Sequence, residues 1–271
     1  MLTGATHCPY IRPYGAKQNK TMKIIITSLF ILLLTPLAAQ MEVNNGSWFN
    51  KRDRVQGNGD LVTQSRNLDG FTGVSACCSF RVELTESGSF DVRVEAESNL
   101  QDFIETKVIN GTLHIKFSDD ANFKSTEDIR VFVSLPRLES IDASSSSRVI
   151  GKTPFSGEDL SLDVSSSALI DLQFTGKRVD LDASSSGQIM VKGSASRVTA
   201  DASSASSIDA GGLEADDAVA NVSSAASVAV HARNTLRADA SSAGVVRYSG
   251  NPSDVVSDTS SAGRVRSAHE Q

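Results

Sequence analysis

Large aromatic side chains are scarce in this chain of 271 residues: they make up 6% of it, with one tryptophan and three tyrosines. That argues against a core filled by bulky rings. The abundance of Ser, Ala and Val suits thin, stacked β-structure in which small residues repeat in layers. A surplus of positive charge is also missing, since Lys and Arg total 26 against 32 Asp and Glu, a net charge of −6. Nucleic acid and anionic membrane surfaces are therefore poor partners. Cysteine is sparse too, at three residues. Cys77 and Cys78 are neighbours, and adjacent residues of a strand point to opposite faces. A disulfide between them is expected to be strained, so the sequence predicts one buried free thiol and one more exposed. No His or acidic partner stands near them at a metal-ligand or catalytic spacing, which assigns them a structural role.

The one long apolar run lies near the start. Met22-Lys23 is followed by Ile24 to Leu34 and by small residues at Ala38 and Ala39. This is the order of a secretory signal peptide at residues 22–39, with cleavage expected between Ala39 and Gln40. The run is short for a bilayer, so no stable membrane span is expected after cleavage. Residues 1–21 carry no pattern, and translation is expected to begin at Met22, so that the upstream stretch and Cys8 would not be part of the protein. With no cysteine at the cleavage site, a lipid anchor is not expected. Removal of Arg12, Lys17, Lys20 and Lys23, and of no acid, leaves 22 cations against 32 anions, a charge of −10. The mature protein is expected to be exported, to the periplasm, the outer membrane or the medium. Residues 40–53 are polar and irregular and read as a flexible leader, with Trp48 and Phe49 placed to cap the first coil.

A repeat dominates the rest. Setting the acidic residue of each D-x-S-S unit as column zero gives Asp142, Asp163, Asp182, Asp201, Asn221, Asp239 and Asp258, at spacings of 21, 19, 19, 20, 18 and 19 residues. Columns plus two and plus three are Ser in every copy. Column plus seven reads Val149, Ile170, Ile189, Ile208, Val228, Val246 and Val265, and column minus three reads Leu160, Val179, Val198, Ala218, Leu236 and Val255. A unit of this length is too short for a helical repeat and lacks the leucine-rich pattern. It fits one coil of a single-stranded parallel β-helix, a solenoid with coils of about 19–21 residues and two or three short strands to the coil. Columns minus three, minus one and plus one should face inward as alternate residues of one strand, and plus seven and plus nine should begin another inward set. The small residues at plus three to plus five make the corner between them. Like columns stack at roughly 4.8 Å, and each coil buries its neighbours' inner face.

Upstream, Val74 to Ser79 aligns with the unit, putting the cysteines in the paired-Ser columns and Val82 at plus seven. Phe90 to Ala96 alternates, Asn110-Gly111 marks a turn between β-rich flanks, and Ile129 to Val133 reads as a further strand. These segments are expected to continue the same architecture less regularly.

Val55-Gln56-Gly57-Asn58-Gly59-Asp60 and Arg66-Asn67-Leu68-Asp69-Gly70-Phe71-Thr72-Gly73-Val74, followed by Phe90 to Ala96, Ile104 to Phe117 and the Asp-Ala-Ser-Ser coils, resemble in content and order the family known as "putative auto-transporter adhesin, head GIN domain". The resemblance spans residues 54–267 and leaves 268–271 as a tail. It implies secreted or surface proteins of Gram-negative bacteria with right-handed β-helical folds, and it supplies no catalytic residue to carry over. Nothing after residue 267 reads as a translocating barrel or a sorting domain.

The candidate ligand face follows from the outward columns minus two, zero and plus two. It comprises Asp163, Asp180, Asp182, Asp201, Asn221 and Asp239. Carboxylates stacked one strand apart repel one another. One reading is a flat face for glycans or a weak Ca²⁺ site with oxygen ligands. The other, favoured here, is that each Asp accepts local hydrogen bonds and stays solvated. The G-G-x-G-x-D signature of Ca²⁺-binding solenoids is missing, and the mixture of Asp, Arg and Val with Ser matches ice binding poorly. No metal or cofactor is expected. His114, His231 and His269 fall in unrelated columns, and no singular acid/base constellation breaks the repeat. The sequence therefore predicts a non-catalytic structural or adhesive domain whose partner is a glycan or another cell-surface component. The alternative is a carbohydrate-active β-helix enzyme of the polysaccharide lyase or hydrolase kind. An assembly role is the other possibility, because solenoid ends expose unpaired strand edges; Arg264, Arg266, His269 and Glu270 after the last coil are expected to blunt that end against stacking, and the oligomeric state is left open.

Overall fold

The computed structural model describes residues 54–119 and 121–268. The readings for residues 1–21, 22–39 and 40–53, the capping role of Trp48 and Phe49, and His269 onward lie outside those residues.

The repeat folds as its columns require. Strand Asp159–Val164 pairs parallel with Leu169–Ala183, setting Leu160 opposite Val179, Leu162 opposite Leu181 and Asp163 opposite Asp182. The same register continues through Gln188–Ala202 (Asp182 to Asp201), Ser207–Val222 (Asp201 to Asn221), Ser227–Ala240 (Asn221 to Asp239) and Asp254–Thr259 (Asp239 to Asp258). Column plus seven is likewise one unbroken ladder from Val82 through Val149, Ile170, Ile189, Ile208, Val228 and Val246 to Val265. The result is a parallel β-solenoid of stacked coils. The inward columns are buried, and their side chains form one continuous hydrophobic core. Coils of unequal length keep this register because register shifts between Met190 and Lys192, between Ala210 and Glu214 and between Ala215 and Asp217 absorb the difference.

Each coil turns at the Ser-Ser step. Ser184 accepts from the Gly187 N–H at 2.8 Å, and equivalent bonds close the turns at Ser144, Ser165, Ser203, Ser223, Ser241 and Ser260. Both central residues of every turn have positive φ, for example Ser185 at 49° and Ser186 at 62°. Residues with a Cβ resist this conformation. Stacking offsets the cost: the second central N–H of one turn donates to the first central carbonyl of the next, as from Ser146 to Ser166 and from Ser186 to Ser204. A Cβ at Gly187 would lie 2.8 Å from the Val164 carbonyl oxygen.

The region before the repeat departs from the expected continuation. Gly73–Ala76 and Arg81–Glu86 do form a coil, in register with Ser140–Ala143 and Arg148–Gly151, with Ser75 in column zero. Beyond it lies a coil made later in the chain, from Thr112–Phe117 and Arg130–Leu135. Apart from a short parallel pair, Val55–Gln56 with Phe123–Lys124, the remaining strands are antiparallel and cover that end. Ile104–Ile109 pairs with Thr112–Phe117 through the Asn110-Gly111 turn, Asp91–Glu97 pairs with Arg130–Leu135, and Leu61–Arg66 pairs with Asp91–Glu97. The alternating Phe90 to Ala96 segment is thus cap, not coil. Aromatic rings concentrate here, with Phe117 packed on Phe80 and Phe123 at centroid distances of 4.5 and 4.8 Å.

The cysteine reading is corrected. Cys77 and Cys78 are joined in a disulfide. The expectation of free thiols assumed a strand, on which neighbours diverge. These residues instead sit at the turn, where Cys78 has φ of 64°, and there adjacent side chains are not forced to opposite faces.

Candidate functional site

Column zero and the serine two residues after it stand on the outer face, beside the row of turns. Strand pairing makes them a ladder whose rungs are one strand spacing, roughly 4.8 Å, apart. Together they line an open trough of about 810 Å³, running from Asp142 through Asp163, Asp182, Asp201, Asn221 and Asp239 to Asp258, with Ser165, Ser184, Ser203, Ser223, Ser241 and Ser260 alongside. Its floor is the small apolar column plus one, Val164, Ala183, Ala202, Val222 and Ala240. Small floor residues are what leave the carboxylates standing as a wall.

Five of the six predicted residues are brought together: Asp163, Asp182, Asp201, Asn221 and Asp239. Asp180 is exposed but lies outside the trough, near Arg178. That arginine is held by Asp159 through two bonds of 2.6 and 2.7 Å, so it is not free to neutralise the trough. Asp142, Asp258 and the serines of column plus two complete the lining. The repeat itself carried their signal, because they occupy the same columns as the residues singled out.

The electrostatics of the wall are those of like charges in a row. Burial pushes the Asp182 carboxyl above the usual carboxylate range, and the neighbouring Asp163, Asp201 and Asp180 add to the rise. Asp163 is raised by burial and by Asp142, against a lowering bond from Ser161. One native coil relieves the repulsion: Asn221 donates its side-chain N–H to Asp201 Oδ1 at 2.7 Å. Among the described residues no three His, Cys, Asp or Glu side chains converge to hold a metal ion. His231 Nδ1 lies 3.1 Å from Ser249 Oγ, and His114, on the coil strand Thr112–Phe117, stands opposite Ser75 and so continues column zero two rungs beyond Asp142.

Asn221 suggests the outcome of a simple substitution. Asp182→Asn should be neutral or stabilising by up to about 1 kcal/mol, because it replaces a repulsive neighbour with a donor. The sign follows from the raised pKa. A carboxyl that binds its proton more readily when folded gains stability as pH falls and loses it as pH rises through the folded pKa. At neutral pH the charged Asp182 therefore works against the fold. Millimolar Ca²⁺ should leave the melting temperature unchanged, whereas a bound cation would raise it by mass action. A Ca²⁺-dependent rise that Asp182→Asn abolishes would show that the column is a cation site after all.

A family-wide sequence profile described as "putative auto-transporter adhesin, head GIN domain" matches residues 70–252. Among solved structures, a "putative adhesin" from Bacteroides fragilis shares 18% identity, with a TM-score of 0.74 over 79% of this chain and 99% of that one. A "putative adhesin" from Parabacteroides merdae shares 20% identity at a TM-score of 0.67, with the same two coverages. A protein from Parabacteroides distasonis described as "putative lipid binding protein" shares 19% identity at a TM-score of 0.69, again over 79% of this chain and 99% of that one. No curated protein matches the chain. At these identities the solved structures bear on the fold alone, and their folds agree with the solenoid described above. The family profile covers about two thirds of the sequence, and the chain belongs to the head GIN domain family of putative auto-transporter adhesins.

Proposed function

We propose that the protein is an exported, non-catalytic adhesive module that uses the trough to hold a cell-surface glycan. The observation that carries this reading is repetition. Successive coils, except the one that carries Asn221, present the same carboxylate–hydroxyl pair at one spacing, which suits a ligand that is itself a polymer of like units. Carboxylates accept hydrogen bonds from sugar hydroxyls, and Ser hydroxyls both donate and accept. An enzyme needs a singular acid/base pair at the reacting bond, and the trough repeats one residue pair instead. The row of Asp side chains favours neutral or amino sugars over uronic or sialic acids, because like charges repel. The same charge and the polar walls make the trough a poor seat for the acyl chain or anionic headgroup of a lipid.

The test is a glycan array probed with the purified protein. Binding to neutral or amino-sugar polymers, weakened at least about tenfold by Asp182→Ala with Asp201→Ala, is expected for a site in which each lost charged hydrogen bond matters. No binding to any glycan, or binding indifferent to those substitutions, overturns the reading.

Export belongs to the same proposal and is checked separately. N-terminal sequencing of the protein recovered from outside the cytoplasm should begin at or near Gln40, as a cleavable signal at 22–39 requires. Recovery of a chain that still begins at Met1 would refute both the start site and the cleavage.

A further inference from the structure

The two ends of the solenoid differ. Antiparallel strands cover the end nearest the N-terminus, as described above. At the other end the inward column minus three runs through Leu160, Val179, Val198, Ala218 and Leu236, each no more than 2% exposed, and then reaches Val255 at 42%. Val256 beside it is 55% exposed. Strand Asp254–Thr259 pairs with Ser227–Ala240 and strand Arg264–Ser267 with Val245–Gly250. Among the described residues neither has a strand on its other edge. Alternate residues of a parallel strand direct their backbone groups to opposite neighbours, so this end presents a row of groups that can accept a further strand.

Charge indicates which strand fits. Asp254 and Asp258 lie on the first of these strands, Arg264 and Arg266 on the second, and all four are exposed. Between them the turn closed by the Gly263 N–H on the Ser260 carbonyl, at 2.8 Å, makes the corner of the coil. The acidic strand runs into this corner and the basic strand runs out of it. A two-fold axis perpendicular to the solenoid axis, bisecting the corner, has a definite consequence. It places the acidic strand of one copy beside the basic strand of the other, antiparallel, with outward faces on the same side. A like-charged pairing, acidic on acidic or basic on basic, is what the four charges oppose. Head-to-tail stacking gains no comparable match, because the outer cap strands Leu61–Arg66 and Ile104–Ile109 carry Arg66, Glu105 and Lys107, of mixed sign.

We infer that this end is a self-association surface, on which two copies dock tail to tail and complete each other's last coil. Asp254 and Asp258 of one copy face the partner's Arg264 and the partner's Arg266, and the open ends of the Val255 and Val265 columns close on each other. Such a contact is isologous and stops at two copies, so it satisfies both edges without opening a filament. It also holds two troughs in one particle, which multiplies avidity for a polymeric ligand whatever that ligand is.

Sedimentation and native mass spectrometry of the purified protein test this. The expected result is a monomer–dimer equilibrium across the micromolar range, weakened by salt. Asp254→Arg with Asp258→Arg makes both contacts like-charged and should raise the dimer's dissociation constant at least about tenfold. Adding Arg264→Asp and Arg266→Asp to that variant restores opposite charges and should restore the dimer. Circular dichroism confirms that each variant folds, which is expected because the substituted side chains are exposed. The inference is overturned by a monomer at every concentration, by a dimer indifferent to charge reversal, or by open-ended polymers. It is also overturned by concentration-independent hydrogen-exchange protection of those amides in residues 254–267 that do not bond to the preceding coil, which would mean that the chain covers its own end.

Discussion

Ile189→Asp should unfold the middle of the solenoid, at a cost above about 4 kcal/mol, the range reached by unpaired charges placed in a core. Ile189 is 1% exposed and stands between Ile170 and Ile208 in an unbroken column. No donor faces it, so the new carboxyl must either be buried charged or keep its proton far above its ordinary pKa. A solenoid coil is stable only through its neighbours, and total stability is on the order of 5–15 kcal/mol. Damage to one central coil therefore propagates to both sides. Gln188, next in sequence but exposed, should accept Asp within about 0.5 kcal/mol. The effect should also fade along the axis: Val255→Asp, in an inward column but at the open end, should cost much less than Val179→Asp. Chemical denaturation of the four variants checks this, and equal losses at Ile189 and Gln188 would contradict the inward assignment.

That contrast also shows why so much of the fold was legible. A solenoid writes its register into the sequence, because like residues must meet like residues at each coil. Once the D-x-S-S units are aligned, the pairing of Ile170 with Ile189 or Asp182 with Asp201 follows from counting. What counting could not supply is conformation. Ser and Ala at two successive positions of positive φ are not the Asn and Gly that announce such turns. The reason they fit, a hydrogen-bond ladder between stacked turns, exists only in the assembled structure. The same blind spot produced the wrong reading of Cys77 and Cys78, which were placed on a strand when they occupy the turn. The cap was misjudged for a related cause. Phe90 to Ala96 alternates as any half-buried strand does, and alternation does not distinguish a parallel coil from an antiparallel cover.

The trough was partly legible for the same periodic reason. Column zero told which carboxylates share a row. The exclusion of Asp180 was not readable, since columns minus two and zero both point outward; only column zero lies next to the row of turns that borders the trough. Least legible was the work of the Gly57-Asn58-Gly59-Asp60 segment, recognisable as a motif but silent about its purpose. The structure shows that this segment wraps a buried carboxylate, that of Glu97.

Glu97→Ala should loosen the cap, at a cost of about 3 kcal/mol or more, because it leaves several buried donors without an acceptor. The residue is fully buried at the end of strand Asp91–Glu97. Its Oε1 accepts from the Gly59 N–H at 2.8 Å and the Thr126 hydroxyl at 2.6 Å, and its Oε2 from the Ser125 hydroxyl at 2.7 Å and the Thr126 N–H at 3.0 Å. Gly57 packs so close that a Cβ there would fall 2.1 Å from Oε2. Burial alone would raise the carboxyl's pKa, but the bonds from Thr126, Ser125 and Gly59 outweigh it and hold the group at about 2, down from the ordinary 4.5. A depressed folded pKa means that the unfolded chain takes up its proton first as the medium is acidified. Glu97's contribution is therefore fully present above about pH 4.5 and is lost as pH falls toward 2, opposite in sense to that of Asp163 and Asp182. Glu97→Gln keeps the shape but turns an NH₂ toward donors, so it should destabilise at pH 7 and do so progressively less on acidification. Denaturant midpoints of wild type and Glu97→Gln should thus converge between pH 5 and pH 2.5, within the window set by the two pKa values. Hydrogen exchange in residues 55–60 and 125–126 should rise in the variant before the central coils respond, because the cap can open locally. Midpoints that stay parallel across this range would mean that the carboxylate is not what ties the cap together.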